Sequence, residues 1–250
     1  MKIVFHQKFH QKYTGDPAAA DGRLEPAEKK LKGAYEFVEA EPIAVADVAR
    51  VHDQSHIKDV KRFDRVYQMA LLAAGGTLQA ARLAHSGEPA FALVRPPGHH
   101  ASPDSCWGFC YINNIAVAVK TLLGEGLVKS VLILDFDLHY GDGTANTFAG
   151  SQQVKYLHPE ASSNLEFVAK CKSELRDAPG YDIIAVSAGF DRHCEDWGSL
   201  LETEDYGTIG RMVKEYAQEH CQGRSFGVLE GGYNHQTLAD ALEALLEGMG

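Results

Sequence analysis

Two carboxylates and an imidazole, two residues apart, follow the apolar run LIL in the stretch LILDFDLHYGDG (Leu132–Gly143). If the chain stays extended there, Asp135, Asp137 and His139 line one edge and Phe136 and Leu138 turn away. Acids beside a core are costly unless something positive meets them. A divalent metal would do so, because zinc accepts imidazole nitrogen and carboxylate oxygen, and a catalytic zinc keeps three protein ligands and one open position. Asp137 and His139 supply two ligands, and Asp191 in AGFDRH is the natural third. The alternative, that each acid caps a helix or pairs with Arg95 or Arg192, serves for any one acid but explains the set poorly.

Two tandem histidines, His99 and His100, follow a rigid Pro-Pro-Gly turn in RPPGHH. A single histidine beside a core is ordinarily just a hydrogen-bonded side chain, but a pair near spare acids suits proton transfer. A carboxylate on the far ring nitrogen fixes the tautomer and raises the basicity, and Asp135 and Asp142 are the candidate partners. Tyr233 is either a packed aromatic or, since its Gly-Gly-Tyr turn is permissive, a phenol that can reach a substrate carbonyl. His52 and His56, like His6 and His10, have the i, i+4 spacing of helical zinc sites. Neither pair has the glutamate that follows the first histidine in a catalytic site of that kind, so both are expected to be structural.

These groups must be positioned by the elements around them. KIVF, AFALV, SVLILDFD, YDIIAVSAG and SFGVLEGG read as strands. Between them lie helical patterns: Tyr67–Ala84, NNIAVAVKTLLGEG with its asparagine cap, Glu204–His220 with an acidic start and a histidine end, and LADALEALLEG. Such alternation predicts a parallel sheet covered on both faces. Ligands of such sheets bind beyond the carboxyl ends of the strands, which is where RPPGHH, DFDLHYGD, AGFDRH and GGYNH fall. The segment Tyr13–Lys32 reads as a surface loop running into a helix.

Composition narrows the function. With 24 Lys and Arg against 34 Asp and Glu, the net charge of -10 argues against a partner defined by a phosphate backbone, so no nucleic acid is expected. No stretch approaches the roughly 18 to 20 apolar residues of a membrane span, and MKIVFHQ carries no signal-peptide pattern. A cytoplasmic protein with no membrane partner is expected. Five scattered cysteines suit free thiols in a reducing compartment. No linker-like tract interrupts the sequence, and residues 1–250 are expected to form one domain.

Taken together, RPPGHHA (Arg95–Ala101), GFCYINNIAVA (Gly108–Ala118), DFDLHYGDGT (Asp135–Thr144), VSAGFD (Val186–Asp191) and LEGGYN (Leu229–Asn234) resemble the motifs of the histone deacetylase family. That family includes acetylpolyamine amidohydrolases and acetoin-utilisation proteins. The motifs occur in the family's order, and AGFD and LEGGY look more like its bacterial and class II branch. The resemblance implies a single-domain, arginase-like three-layer α/β fold with a mainly parallel sheet and one zinc on Asp137, His139 and Asp191. It implies an amidohydrolase that removes acetyl or short acyl groups from amines such as acetyl-lysine or an acetylpolyamine. On that basis His100 is the general base that later protonates the leaving amine, and His99 is its electrostatic or acid partner. Asp135 and Asp142 orient His99 and His100 respectively, Tyr233 polarises the amide carbonyl, and Gly108 and Phe109 wall the acyl channel. A potassium ion, often held by family members, would touch Asp135 and the main-chain carbonyls of Asp137 and His139.

The sequence also departs from the family's pattern. Tyr140 stands where a second histidine is more usual, no Pro-Glu-Arg segment is recognisable in DGRLEPAEK, and Trp197 replaces a frequent proline. Only 36 residues separate Thr144 from Tyr181, where relatives commonly carry a longer rim, which predicts a more open mouth. Two other readings are weighed. A di-manganese ureohydrolase of the same fold needs further Asp and His ligands and is poorly served by the His99–His100 pair and Tyr233. A non-catalytic acyl-ligand-binding member would be marked by loss of His100 or Tyr233, and both are present.

Overall fold

A computed structural model describes residues 1–250. Its strands are β1 (Lys2–Phe5), β2 (Glu36–Glu39), β3 (Ala90–Ala92), β4 (Val131–Asp135), β5 (Val154–Leu157), β6 (Ile183–Ala188) and β7 (Ser225–Leu229). They form one sheet in the order β2-β1-β3-β7-β6-β4-β5, and every pairing is parallel. β4, β6 and β7 are buried along their whole length. This is why their sequences run apolar without alternating: a strand covered on both faces has no polar side to show water.

The helices are α1 (Glu25–Leu31), α2 (Val45–Val48), α3 (Gln54–Lys61), α4 (Asp64–His85), α5 (Asn114–Gly124), α6 (Asp142–Thr147), α7 (Asn164–Asp177), α8 (Thr203–His220) and α9 (His235–Met249). α4 lies against β1, β3 and β7 and packs on α5, whereas α8 lies against β6 and β7 and packs on α7 and α9. The sheet between these groups gives the three-layer α/β arrangement expected, and the buried apolar side chains form one continuous cluster. No helix is long and apolar enough to cross a membrane. Asn113 caps α5 by accepting from the Ala116 amide, and Asn234 caps α9 by accepting from the Gln236 and Thr237 amides.

Three local readings change. β4 stops at Asp135, because the side chains of Asp135 and Asp137 accept from the amides two residues on and bend the chain. Tyr13–Lys32 does run into a helix, α1, but the segment is no surface loop: Tyr13, Ala18, Ala19, Arg23, Leu24, Ala27 and Leu31 are all buried. The edge strands β2 and β5, four residues each, escape the sequence pattern because Glu36, Glu39 and Lys155 break their apolar runs, as is common where an edge must not recruit another strand.

The pair Gly75–Gly76 inside α4 shows which of two opposing effects wins. In an exposed helix, Gly→Ala gains about 1 kcal/mol of propensity. Here a Cβ on Gly75 would overlap the Glu41 carbonyl oxygen and crowd the main chain of Pro42 and Ile43, and overpacking of this kind costs about 1 to 3 kcal/mol. Gly75→Ala is therefore expected to lower stability in denaturant titration; a stabilised variant would show that this contact is loose.

Candidate active site

The four polar clusters lie at the carboxyl ends of β3, β7, β6 and β4, which are consecutive in the sheet. They meet around three acids, Asp135, Asp137 and Asp191, whose exposures are 0%, 1% and 0%. Asp137 Oδ2 accepts from the Gly231 amide at 2.8 Å and Asp137 Oδ1 from the His139 amide at 2.9 Å. Asp191 Oδ1 accepts from the Leu138 amide at 3.0 Å. His139 then presents Nδ1 to Asp137 Oδ1 at 3.3 Å and to Asp191 Oδ2 at 3.1 Å. Gly231 is required for this approach, since a Cβ there would stand 2.6 Å from carboxylate oxygens of both Asp137 and Asp191.

The tandem histidines are held separately. His99 Nδ1 lies 3.1 Å from Asp135 Oδ2, and His100 Nδ1 lies 2.7 Å from Asp142 Oδ1. Their rings are 4.1 Å apart and line a cavity of about 290 Å³ together with His139, Gly108, Phe109 and Tyr233. Gly108 has a φ of 58°, and a Cβ on it would overlap the His100 ring. Phe109 holds a φ of 66°, unusual for a bulky residue, with its ring edge-on to Tyr233. Two half-exposed tryptophans close the sides. Trp197 stacks on Tyr233 at 4.0 Å, and Trp107 covers His100 at 3.9 Å while its indole N–H donates to Asp142 Oδ2.

Several residues that serve this site carried no signal in their own sequence neighbourhood. Asp196 accepts from the amides of Tyr233 and Asn234, both at 2.7 Å, and so fixes the Gly-Gly-Tyr turn. Arg23, fully buried, donates to the carbonyls of Glu230 and Gly232 and lies 5.5 Å over the Tyr233 ring. Glu230 accepts from the amides of Gly98 and His99 and from the Ser187 hydroxyl, tying the histidine turn to β6; its place in LEGGYN was its only mark. Neither arginine weighed as an acid's partner plays that part. Arg95 donates to the carbonyls of Ala18 and Ala20, and Arg192 to those of Phe136 and Asp137.

The donor set fits a metal ion. Ligand atoms of Asp137, His139 and Asp191 come together within 4.8 Å, and ligands about 2.0 to 2.1 Å from one tetrahedral ion stand roughly 3.3 Å apart. The charges are compatible with such a partner. Burial, together with the charge of Asp137, pushes Asp191 up to about 6, and hydrogen bonds to Asp137 and Asp191 push His139 up to about 10. The proton on His139 thus stands where a cation would otherwise sit. His99, Cys110 and Glu230 form a second close group, but Glu230 is satisfied by internal donors and burial drives the Cys110 thiol well up. His52 and His56 bond to main-chain carbonyls, and His10 to Glu28.

Comparison with known proteins gives the family and the fold. The histone deacetylase domain family matches residues 20–164 and 165–249, and the chain belongs to that family of amidohydrolases. A probable deacetylase of Archaeoglobus fulgidus is 31% identical over 296 aligned residues, covering 93% of this chain and 81% of that one. A histone deacetylase-like amidohydrolase of Pseudomonas aeruginosa is 28% identical over 282 residues, covering 87% and 74%. The chain spans about three fifths of the length of two plant histone deacetylases it also matches. The crystal structure of the HDA15 HD domain shares the fold, with a TM-score of 0.86 at 24% identity over 99% of this chain and 88% of that one.

His52 shows what holds the histidine turn from outside. Its Nδ1 donates to the Ser102 carbonyl and its Nε2 accepts from the Asn113 amide, both at 2.9 Å. Burial, then the neighbouring His56, depresses it from 6.5 to about 4. Because the folded value lies below the unfolded one, its contribution is complete above about pH 6.5 and is lost as pH falls toward 4, a loss of about 3 kcal/mol. His52→Gln is expected to flatten the stability-against-pH curve over that window; slopes that match those of the parent chain would refute this.

Proposed function

We propose that this chain is a zinc-dependent amidohydrolase that removes acetyl or short acyl groups from amines such as acetyl-lysine or an acetylpolyamine. The observation that carries the proposal is the Asp137–His139–Asp191 cluster opening onto a cavity that also presents two carboxylate-held histidines and a phenol. Asp137, His139 and Asp191 would hold the zinc, which supplies a lowered water pKa and a positive charge near the carbonyl oxygen. All else is done by side chains of this chain.

His100 is held at Nδ1 by Asp142, which leaves Nε2 to take a proton from the attacking water and return it to the departing amine. Burial and the neighbouring His99 lower His100 to about 4, so it stays neutral and able to accept near pH 7. His99, which Asp135 and Asp137 raise against the effect of burial, keeps its proton and stabilises negative charge beside it. Burial raises Tyr233 as well, so its hydroxyl remains a donor to the oxygen that gains charge in the transition state. Gly108 and Phe109 would guide the acyl chain along the wall, with the two tryptophans at the mouth. The five free cysteines support a reducing, cytoplasmic setting.

Zinc content and hydrolysis measured together across acetyl-lysine peptides, acetylpolyamines and small acetamides test the proposal. His100→Ala is expected to lower kcat by about 10²- to 10⁴-fold with zinc retained. Asp191→Ala is expected to lose zinc and activity together. Binding of these ligands without turnover by the zinc-loaded chain would favour the acyl-binding reading instead, and two manganese ions per chain would favour the ureohydrolase.

A further inference from the structure

Arg192 is buried, 5% exposed, yet it forms no ion pair. Its Nε donates to the Asp137 carbonyl at 2.9 Å and to the Phe136 carbonyl at 3.1 Å. Its Nη2 faces His158 Nε2 at 3.3 Å, and its guanidinium lies 4.7 Å over the Phe167 ring. A buried charge without a direct counter-ion is costly, so the compensation must come from further off. It is close at hand, because the carbonyls it grips belong to the segment that carries Asp135 and Asp137, with Asp191 its own neighbour in sequence. The guanidinium thus adds one positive charge to the divalent ion and the protonated His99 that face these three carboxylates.

The space around Asp135 confirms how far protein donors already serve these oxygens. Asp135 Oδ1 accepts from the Asp137 amide at 3.0 Å, and Oδ2 meets the Tyr156 hydroxyl at 2.9 Å and His99 Nδ1 at 3.1 Å. The Tyr156 hydroxyl accepts from the Gly141 amide, which leaves its own proton for Asp135. Because Arg192 donates to His158 Nε2, the His158 proton sits on Nδ1, 3.9 Å from Asp135 Oδ1. Hydrogens of an arginine and a tyrosine therefore occupy oxygens that a monovalent cation would need bare, and His158 Nδ1, without a hydrogen-bond partner, stands 3.9 Å from the same carboxylate. The family resemblance implies a potassium ion against Asp135 and the main-chain carbonyls of Asp137 and His139; donors already occupy the Asp135 carboxylate and the Asp137 carbonyl, and this set does not fit one.

We propose that Arg192 is a built-in cation: its guanidinium does the charge-balancing and loop-positioning work of that ion, and this chain functions without potassium. Arg192 is a positioning residue, acting through the Asp137 main chain. The proposal rests on the metal-site reading for its charge count, so its primary test uses the metal-free chain. Thermal melting is measured in potassium chloride and in tetramethylammonium chloride at equal ionic strength, with hydrolysis by the zinc-loaded chain as a separate readout.

The parent chain is expected to melt and to turn over equally in both salts. Arg192→Met, neutral and of similar length, is expected to melt lower and to gain about 3 to 6 °C from potassium at ten times its Kd, with none from tetramethylammonium. Arg192→Lys, which keeps the charge, is expected to remain indifferent to potassium. A parent chain stabilised by potassium overturns the proposal, and so does a folded Arg192→Met that ignores the ion. Should Arg192→Met fail to fold, the parent and Arg192→Lys melts still decide. Absence of zinc binding or hydrolysis would count against the functional reading alone, leaving the melting result intact.

Discussion

The burial of three carboxylates at the carboxyl edge of the sheet is the constraint on which the rest of this structure depends. An ionised carboxylate taken out of water costs several kcal/mol even after relaxation, and Asp135, Asp137 and Asp191 are taken out almost completely. Their oxygens must therefore be met by donors that cannot drift. The amides of Asp137, Leu138, His139 and Gly231 meet that need because they are main-chain groups at strand ends. Those ends converge only if β4, β6 and β7 are parallel neighbours, as they are. The sheet order and the chemistry of the site are thus one requirement.

A fourth buried acid shows that burial alone does not make a ligand. Glu230 is as inaccessible as the aspartates, but uncharged donors from Gly98, His99 and Ser187 occupy its oxygens. Burial pushes it up to about 7, with the nearby His99 opposing. It braces the turn that carries the histidines. Asp137 and Asp191, by contrast, each turn an oxygen toward His139 Nδ1 as well as accepting from main-chain amides. That shared focus on one point distinguishes a donor set that could hold a metal from a structural brace.

Much of this was legible in the sequence because the groups sit where strands end, and strand ends are marked by a change from apolar to polar residues. VLIL before DFDLH and IIAVS before AGFD announce both the element and the site. Arg23 gave no such mark: it reaches Glu230 and Gly232 from more than 200 positions away in the chain, and nothing near it in sequence shows that its segment folds inward. Tyr156 lay in an edge strand interrupted by Lys155, too short and mixed to read. Arg192 was visible, but as a partner for an acid, whereas it bonds to carbonyls. Spacing alone cannot tell a charge that balances acids through the main chain from one that pairs with them directly.

The short segment between Thr144 and Tyr181 shows what the fold keeps when length is lost. It contains β5, which brings Tyr156 to Asp135 and His158 to Arg192, and α7, whose Phe167 lies under the guanidinium. All three contacts lie behind the acids, on the floor of the site, so this stretch supports the charged groups. The mouth is left to Trp107 and Trp197, which stand on loops that also carry the candidate machinery. Trp107 covers His100 and donates to the acid that holds it, and Trp197 stacks on Tyr233. The rim tryptophans are therefore in direct contact with the candidate site residues His100 and Tyr233. Whatever docks against those indoles also presses on His100 and Tyr233, so the mouth of the cavity and the geometry of its floor are coupled by construction in this chain.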